Sequence, residues 1–378
     1  MKKVVLAPQG FKESLTGMEI AVAMSIGVKR VWPEVETVLI PVADGGDGTL
    51  QALVDSSGGD VRTATVEDAI GRTIEAEWGA LGNGTTAVIE VANAIGLARL
   101  SQDERDVRNA STFGVGQLFI GALDAGFSDF IIGVGGSATN DGGAGMIQAM
   151  GGKLTDSNGH DIARGGISLS RLANIDVSDL DSRMKSANVV VACDVNNPLC
   201  GPRGASAIFG PQKGATYEDI QELDAALANF AEVIAKDLHT DVAEIPGAGA
   251  SGGLGAGLMG FFDARLRLGA DIVLEALNLD EQMADADLVI VGEGQFDRST
   301  VFNKSPVVVA QRAKRRGTPV IGIAGSLGAG FSEVHEHGFD AVFSLVNRPM
   351  SLKAAMEDTK RLVTIATEEA CRAIAINI

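Results

Sequence analysis

The sequence predicts an α/β protein of two domains, one of them a Rossmann-like parallel sheet. Three observations carry this expectation. Short buried-looking apolar runs alternate with helical stretches at both ends of the chain, and several of these runs lead directly into glycine-rich segments. The middle of the chain has a different texture, with alternating apolar and polar residues. A chain of 378 residues is also long enough for about two domains.

Residues 4–7 read as the first strand. Thr16-Gly17-Met18-Glu19 is a capping box that starts a helix, Ile20, Ala23, Met24 and Val31 follow at helical spacing, and Pro33 closes the segment. Residues 38–42 form a second strand that enters a turn carrying Asp44 and Asp47. Residues 73–81 and 85–91 alternate and read as a hairpin around Gly82-Asn83-Gly84. A helix is expected over 115–125, strands over 130–132 and 189–192, and a long helix over 217–236. The β-rich runs 288–291, 320–324 and 341–345, with a helix over 307–316, restore the βαβ pattern at the end. Residues 1–65 and 270–378 are therefore expected to build the Rossmann-like domain. Residues 66–269 form an inserted α/β domain, and the active site is expected in the cleft between them.

The glycine-rich segments 43–49, 133–143, 201–214, 247–257, 292–297 and 325–328 carry the functional signal. Glycine lets backbone N–H groups approach a ligand closely, and loops at the carboxyl ends of parallel strands are where α/β proteins bind ligands. Several of these segments also hold carboxylates, which points to phosphate together with a metal. The formal net charge of −18 argues against nucleic-acid and anionic-membrane partners. The apolar run at residues 4–8 is too short for a signal peptide, and no stretch reaches the ~18 apolar residues of a membrane span. Cys193, Cys200 and Cys371 lack metal or disulfide spacing, so a reducing cytoplasm is the expected setting.

Asp44 and Asp47 are candidate Mg²⁺ ligands, since Mg²⁺ takes one or two carboxylates with phosphate oxygens and water. The alternative for either is capping of the next helix. Asp194 follows the 189–192 strand and is placed for metal binding or proton abstraction. Glu293 and Asp297 are read as lying just past a strand. Lys12, Lys213 and Lys304 are cations in loops rather than on helix faces. His335 and His337 have chelating spacing but no third ligand. Gly133-x-Gly135-x-x-Ala138 matches a dinucleotide fingerprint, with Asp156 in the range of its ribose acid, although 153–155 is short for the second strand.

Taken together, the motifs resemble the bacterial-type glycerate kinases, a class unrelated to phosphate-loop and protein kinases. The matching segments are Phe11-Lys12-Glu13-Ser14-Leu15, Pro41-Val42-Ala43-Asp44-Gly45-Gly46-Asp47-Gly48-Thr49, Gly135-Gly136-Ser137-Ala138-Thr139-Asn140-Asp141-Gly142-Gly143 and Cys193-Asp194-Val195-Asn196-Asn197-Pro198-Leu199. Phe209-Gly210-Pro211-Gln212-Lys213-Gly214-Ala215, Gly252-Gly253-Leu254-Gly255, Gly292-Glu293-Gly294 and Gly322-Ile323-Ala324-Gly325 follow in family order. The resemblance implies ATP-dependent phosphorylation of D-glycerate with Mg²⁺, mainly to 2-phosphoglycerate. Catalytic roles are expected for Asp194, Lys12 and Lys213, and substrate contacts for Arg72, Asn196 and Asn197. Nucleotide contacts are expected from Gly135, Gly136, Ser137, Thr139, Gly252, Gly253, Glu293 and Lys304, and metal ligation from Asp44 and Asp47. D-glycerate and ATP are the expected partners, and a homo-oligomer is left open.

The chain departs from the family pattern at three places. Gln9-Gly10 stands where Asp-Ser is usual, Gln295 replaces an arginine, and Asn303 replaces a glycine before Lys304. The first change removes a carboxylate and the second a forked cation. Two other readings are open: a nicotinamide-dependent oxidoreductase of a hydroxy acid, and a binding protein of the same fold without turnover.

Overall fold

The computed structural model describes residues 1–376 except 12–13, 44–47 and 302–303. In chain order its strands are β1 (Lys3–Pro8), β2 (Glu36–Leu39), β3 (Asp60–Glu67), β4 (Thr73–Ala80), β5 (Thr86–Glu90), β6 (Asp129–Gly133) and β7 (Lys153–Thr155). They continue as β8 (Asn174–Asp176), β9 (Asn188–Ala192), β10 (Arg265–Arg267), β11 (Leu288–Phe296), β12 (Val320–Leu327) and β13 (Ala341–Ser344). The chain divides into two compact units. One comprises Met1–Asp44, Asp55–Ser57 and Ala270–Ile378; the other comprises Gly45–Val54 and Gly58–Gly269.

The first unit is built on a wholly parallel sheet of order β13-β12-β11-β1-β2. Its central strands are near-continuous apolar runs because helices cover both faces of such a sheet. Val4, Val5, Leu6 and Ala7 in β1 and Val289, Ile290 and Val291 in β11 are fully buried, whereas edge strand β13 is only half-buried. Helix Gly17–Val31 starts as expected: Thr16 and Glu19 exchange the two bonds of the capping box. The helix leads from β1 to β2, and helix Ser305–Arg315 leads from β11 to β12.

The second unit holds a six-stranded sheet of order β10-β9-β6-β5-β4-β3. β10, β9, β6 and β5 are parallel, and β4 and β3 continue the sheet antiparallel through the expected hairpin. Its core includes Phe119 against Phe130 (4.9 Å between ring centres) and Trp78 edge-on to Phe127 (5.3 Å). Helix Tyr217–Leu238 lays Leu227, Phe230 and Ile234 into this core, and Thr216 with Asp219 forms its capping box.

Four local expectations change. β11 and β12 do not stop at residues 291 and 324 but stay paired through Glu293↔Ala324 and Phe296↔Leu327. The segments 292–296 and 325–327 are therefore strand rather than loop. The second strand ends at Leu39, with two further backbone bonds, from Ile40 N to Leu6 O and from Val42 N to Pro8 O. β3 pairs with β4 along its whole length, so the expected crossing near residue 65 falls inside a strand. β7 pairs antiparallel with β8 in a separate two-stranded sheet. The strand-helix-strand unit that a dinucleotide fingerprint needs after β6 is thus not formed, and Asp156 instead accepts from Asn158 N and His160 N of its own turn.

Candidate active site

In the second unit, β6 and β9 end at the registered residues Gly133 and Ala192, so the loops that follow leave the same edge of the sheet. This is the carboxyl edge, where α/β sheets place ligands. After β6 the chain turns at Gly136, whose carbonyl accepts from Leu97 N, while Ala138 N donates to Ile95 O. Thr139, Asn140 and Asp141 are then completely buried.

Asp141 organises this loop. Its Oδ2 accepts from Thr112 N (2.8 Å), Thr112 Oγ1 (3.0 Å) and Gly145 N (3.2 Å), and its Oδ1 accepts from Gly143 N (3.2 Å). Burial pushes the carboxyl upward in pKa, against the pull of donors from Thr112, Gly143 and Gly145.

Lys213 closes the loop from the other side. It sits in the short turn Pro211–Lys213 and is only 2% exposed. Its Nζ donates to Thr139 O (2.6 Å) and Ser137 Oγ (3.2 Å). An ammonium has three N–H groups, so one remains for a ligand. Burial lowers its pKa to about 7, with the Asp141 charge pulling the other way.

Segment 250–253 packs on the same loop. Ser251, Gly252 and Gly253 have φ of 55°, 68° and 89° inside an otherwise helical run, and Gly252 O accepts from Gly142 N at 3.0 Å. Ser251 is a non-glycine residue in left-handed conformation, a strain of about 1–2 kcal/mol of the kind that concentrates at functional sites. Three buried oxygens here have no hydrogen-bond partner among the described residues: Thr139 Oγ1, Asn140 Oδ1 and Ser251 Oγ. Asn140 uses its Nδ2 to donate to Ser206 Oγ (2.9 Å), so the orphan is its accepting end. Orphans clustered beside an incompletely partnered ammonium mark a place for a polar ligand.

The other expected residues fall into three groups. Asp194 lies exposed two residues past β9 and accepts Gly269 N at 2.9 Å. Asn196 is exposed beside it, while Asn197 donates Nδ2 to Arg203 O and accepts Gly247 N and Gly249 N on its carbonyl, bracing the approach to Ser251. Arg72 is matched by two carboxylates, donating Nε to Asp68 (2.6 Å) and Nη1 to Glu104 (2.7 Å). In the first unit, Glu293 lies within β11, where Oε1 accepts Lys304 Nζ (2.6 Å) and Oε2 accepts Thr300 Oγ1 (3.2 Å). Asp297 does not join Glu293; it caps its own turn through Ser299 N and Oγ. Lys12, Asp44 and Asp47 lie outside the described residues, and among the described residues no group of three or more His, Cys, Asp or Glu is arranged to hold a metal.

The structure thus brings Ser137, Thr139, Lys213, Gly252 and Gly253 together in one unit, and Glu293 and Lys304 together in the other. Sequence reasoning missed Asn140, Asp141 and Ser251. The only signal for the first two was an Asn-Asp pair set between a threonine and two glycines.

Comparison with known proteins gives a consistent result. The glycerate kinase family model matches residues 4–375. A glycerate kinase of Halalkalibacterium halodurans is 50% identical over 376 residues, covering 100% of this chain and 98% of that protein. The glycerate 2-kinase of Escherichia coli is 47% identical, covering 100% and 99%. The crystal structure of a Salmonella typhimurium LT2 protein named as a glycerate kinase 2 superposes with a TM-score of 0.92 at 46% identity, covering 99% of this chain and 98% of that one.

Proposed function

The chain belongs to the glycerate kinase family, and on that footing we propose that it transfers the γ-phosphoryl group of ATP to D-glycerate, releasing 2-phospho-D-glycerate and ADP. The observation that carries this reading is the buried Lys213 ammonium beside the orphaned oxygens of Thr139, Asn140 and Ser251. An amide oxygen only accepts, so the partner of Asn140 Oδ1 must donate a proton. A glycerate hydroxyl does so, whereas an ionised triphosphate has nothing to donate. On this reading Thr139 and Asn140 face the sugar acid, and Lys213 offers its remaining N–H to the carboxylate or to the phosphoryl group in transit. Phosphoryl transfer asks a protein chiefly for such positioning and charge stabilisation.

Asp194, fixed on one oxygen by Gly269 N, is the group we assign to accept the hydroxyl proton, with Asn196 orienting the substrate nearby. Arg72 acts here through the turn it holds with Asp68 and Glu104. The glycine backbone at 135–136 and 252–253, with Glu293 and Lys304, retains the proposed nucleotide role. Asp44 and Asp47 offer the oxygen-only donor set that suits Mg²⁺. When bound, the ion neutralises charge on the triphosphate. No helix among the described residues is long and apolar enough to cross a membrane, and we place the reaction in the cytoplasm.

The test is ADP release from MgATP with and without D-glycerate, with the product read by phosphorus NMR. Glycerate-dependent ADP with a 2-phospho signal is expected. A 3-phospho signal would overturn the regiochemistry alone, and glycerate binding without ADP would overturn the kinase reading.

A further inference from the structure

Lys213 and Asp141 are both sealed from solvent, and neither forms an ion pair with any of the described residues. The Lys213 ammonium rests on two neutral oxygens, Ser137 Oγ and Thr139 O. The four groups that reach Asp141 are likewise neutral, and all four donate. Thr112 Oγ1 also accepts from Met146 N at 2.9 Å, and turning its O–H away from Asp141 would strip that buried proton of the acceptor it has here. The ionised carboxylate is therefore the form that satisfies every contact. The cation rests on Thr139 O of the same short loop that carries the anion, so each charge compensates the other where a lone buried charge would be severely destabilising.

We propose that Asp141 is a positioning residue for this phosphotransfer: its carboxylate supplies the buried counter-charge that keeps Lys213 an ammonium, and it pins the loop 137–141 on which that ammonium rests. This rests on the reading of Lys213 as a substrate-facing group and assigns a role to a residue that touches neither substrate. The pKa of Lys213, lowered to about 7 by burial and held up by Asp141, agrees with it. Among the described residues a further charged group beside the Lys213 turn is Arg105, which donates Nη1 to Gln212 O (3.0 Å). Asp219 and Glu222 on the following helix are held by Arg108.

The sign of the pH effect follows. If the ammonium is the working form, kcat/KM for glycerate falls as pH rises through the Lys213 pKa. Removing the Asp141 charge lowers that pKa, so the alkaline limb moves toward lower pH. The experiment is kcat/KM for D-glycerate with MgATP between about pH 6 and 10 for the full-length wild type, Asp141→Asn and Lys213→Met, with thermal melts of each. The limb of Asp141→Asn is expected to shift down by about one unit or more. A folded Asp141→Asn with reduced rates but an unmoved limb would overturn the proposal and leave Asp141 a loop brace only. Full activity in Lys213→Met would sink the reading of Lys213 itself, which is a separate failure. If Asp141→Asn does not fold, the double variant with Lys213→Met decides. Recovery of folding there supports the charge coupling, because the stranded cation is gone, and continued unfolding overturns it.

Discussion

The loop cluster of the second unit and the β11–β12 strand pair of the first look alike in sequence, each rich in glycine and carrying a lysine and a carboxylate. Their structures differ at every one of these features. At 251–253 the backbone is left-handed, and a Cβ on Gly252 would lie 2.0 Å from Thr139 O. At 292–294 the glycines are extended strand, and a Cβ on Gly294 would meet nothing within 4 Å. Lys213 is sealed on neutral oxygens, whereas the Lys304 side chain is 31% exposed and paired with Glu293. The lesson is that glycine density alone does not mark a loop; what separates the two clusters is the left-handed backbone and a charge left incompletely matched.

Four substitutions test that contrast, beginning with the largest effect. Lys213→Met is expected to lower kcat by about 10²–10³-fold, the usual loss when one preorganised charge donor is removed, and steady-state kinetics at pH 7 measure it. An undiminished kcat would mean the two lysines differ in burial but not in work. Gly252→Ala places a β-carbon against backbone in a left-handed conformation, and about 3 kcal/mol of lost stability in denaturant melts is the expected outcome. Gly294→Ala should stay within about 0.5 kcal/mol of the parent, and equal losses at both sites would erase the distinction. Lys304→Ala breaks a partly exposed ion pair, and a rise in KM for ATP of about fivefold, near 1 kcal/mol, is expected with kcat held. A collapse of kcat there would promote the strand pair to the chemistry.

Legibility from sequence follows the same division. The Thr16–Glu19 capping box, the 73–91 hairpin and the 217–238 helix were readable because local chemistry decides them. The extension of β11 was not: Gly-Glu-Gly has poor strand propensity, and the pairing of Gly292 with Ile323 and Glu293 with Ala324 supplies what the residues lack. In the candidate site, Lys213, Ser137 and Thr139 stand out in sequence through their glycine neighbours and the family resemblance. Asp141 and Ser251 do not, since Asn-Asp-Gly-Gly and Ala-Ser-Gly-Gly read as turns and nothing local announces complete burial. Arg72 was legible as a cation but not as one already matched by Asp68 and Glu104.

The sealed position of Lys213 also fixes a proton stoichiometry for folding. An unfolded lysine holds its proton up to about pH 10.5, and the folded one releases it near 7. Between those values the native chain binds one proton fewer than the unfolded chain, so this residue makes stability rise with pH across the window. Below pH 7 both forms are protonated and the burden of the buried charge is fully present. Conformational stability and phosphotransfer are thus expected to respond to alkali in opposite directions through a single nitrogen.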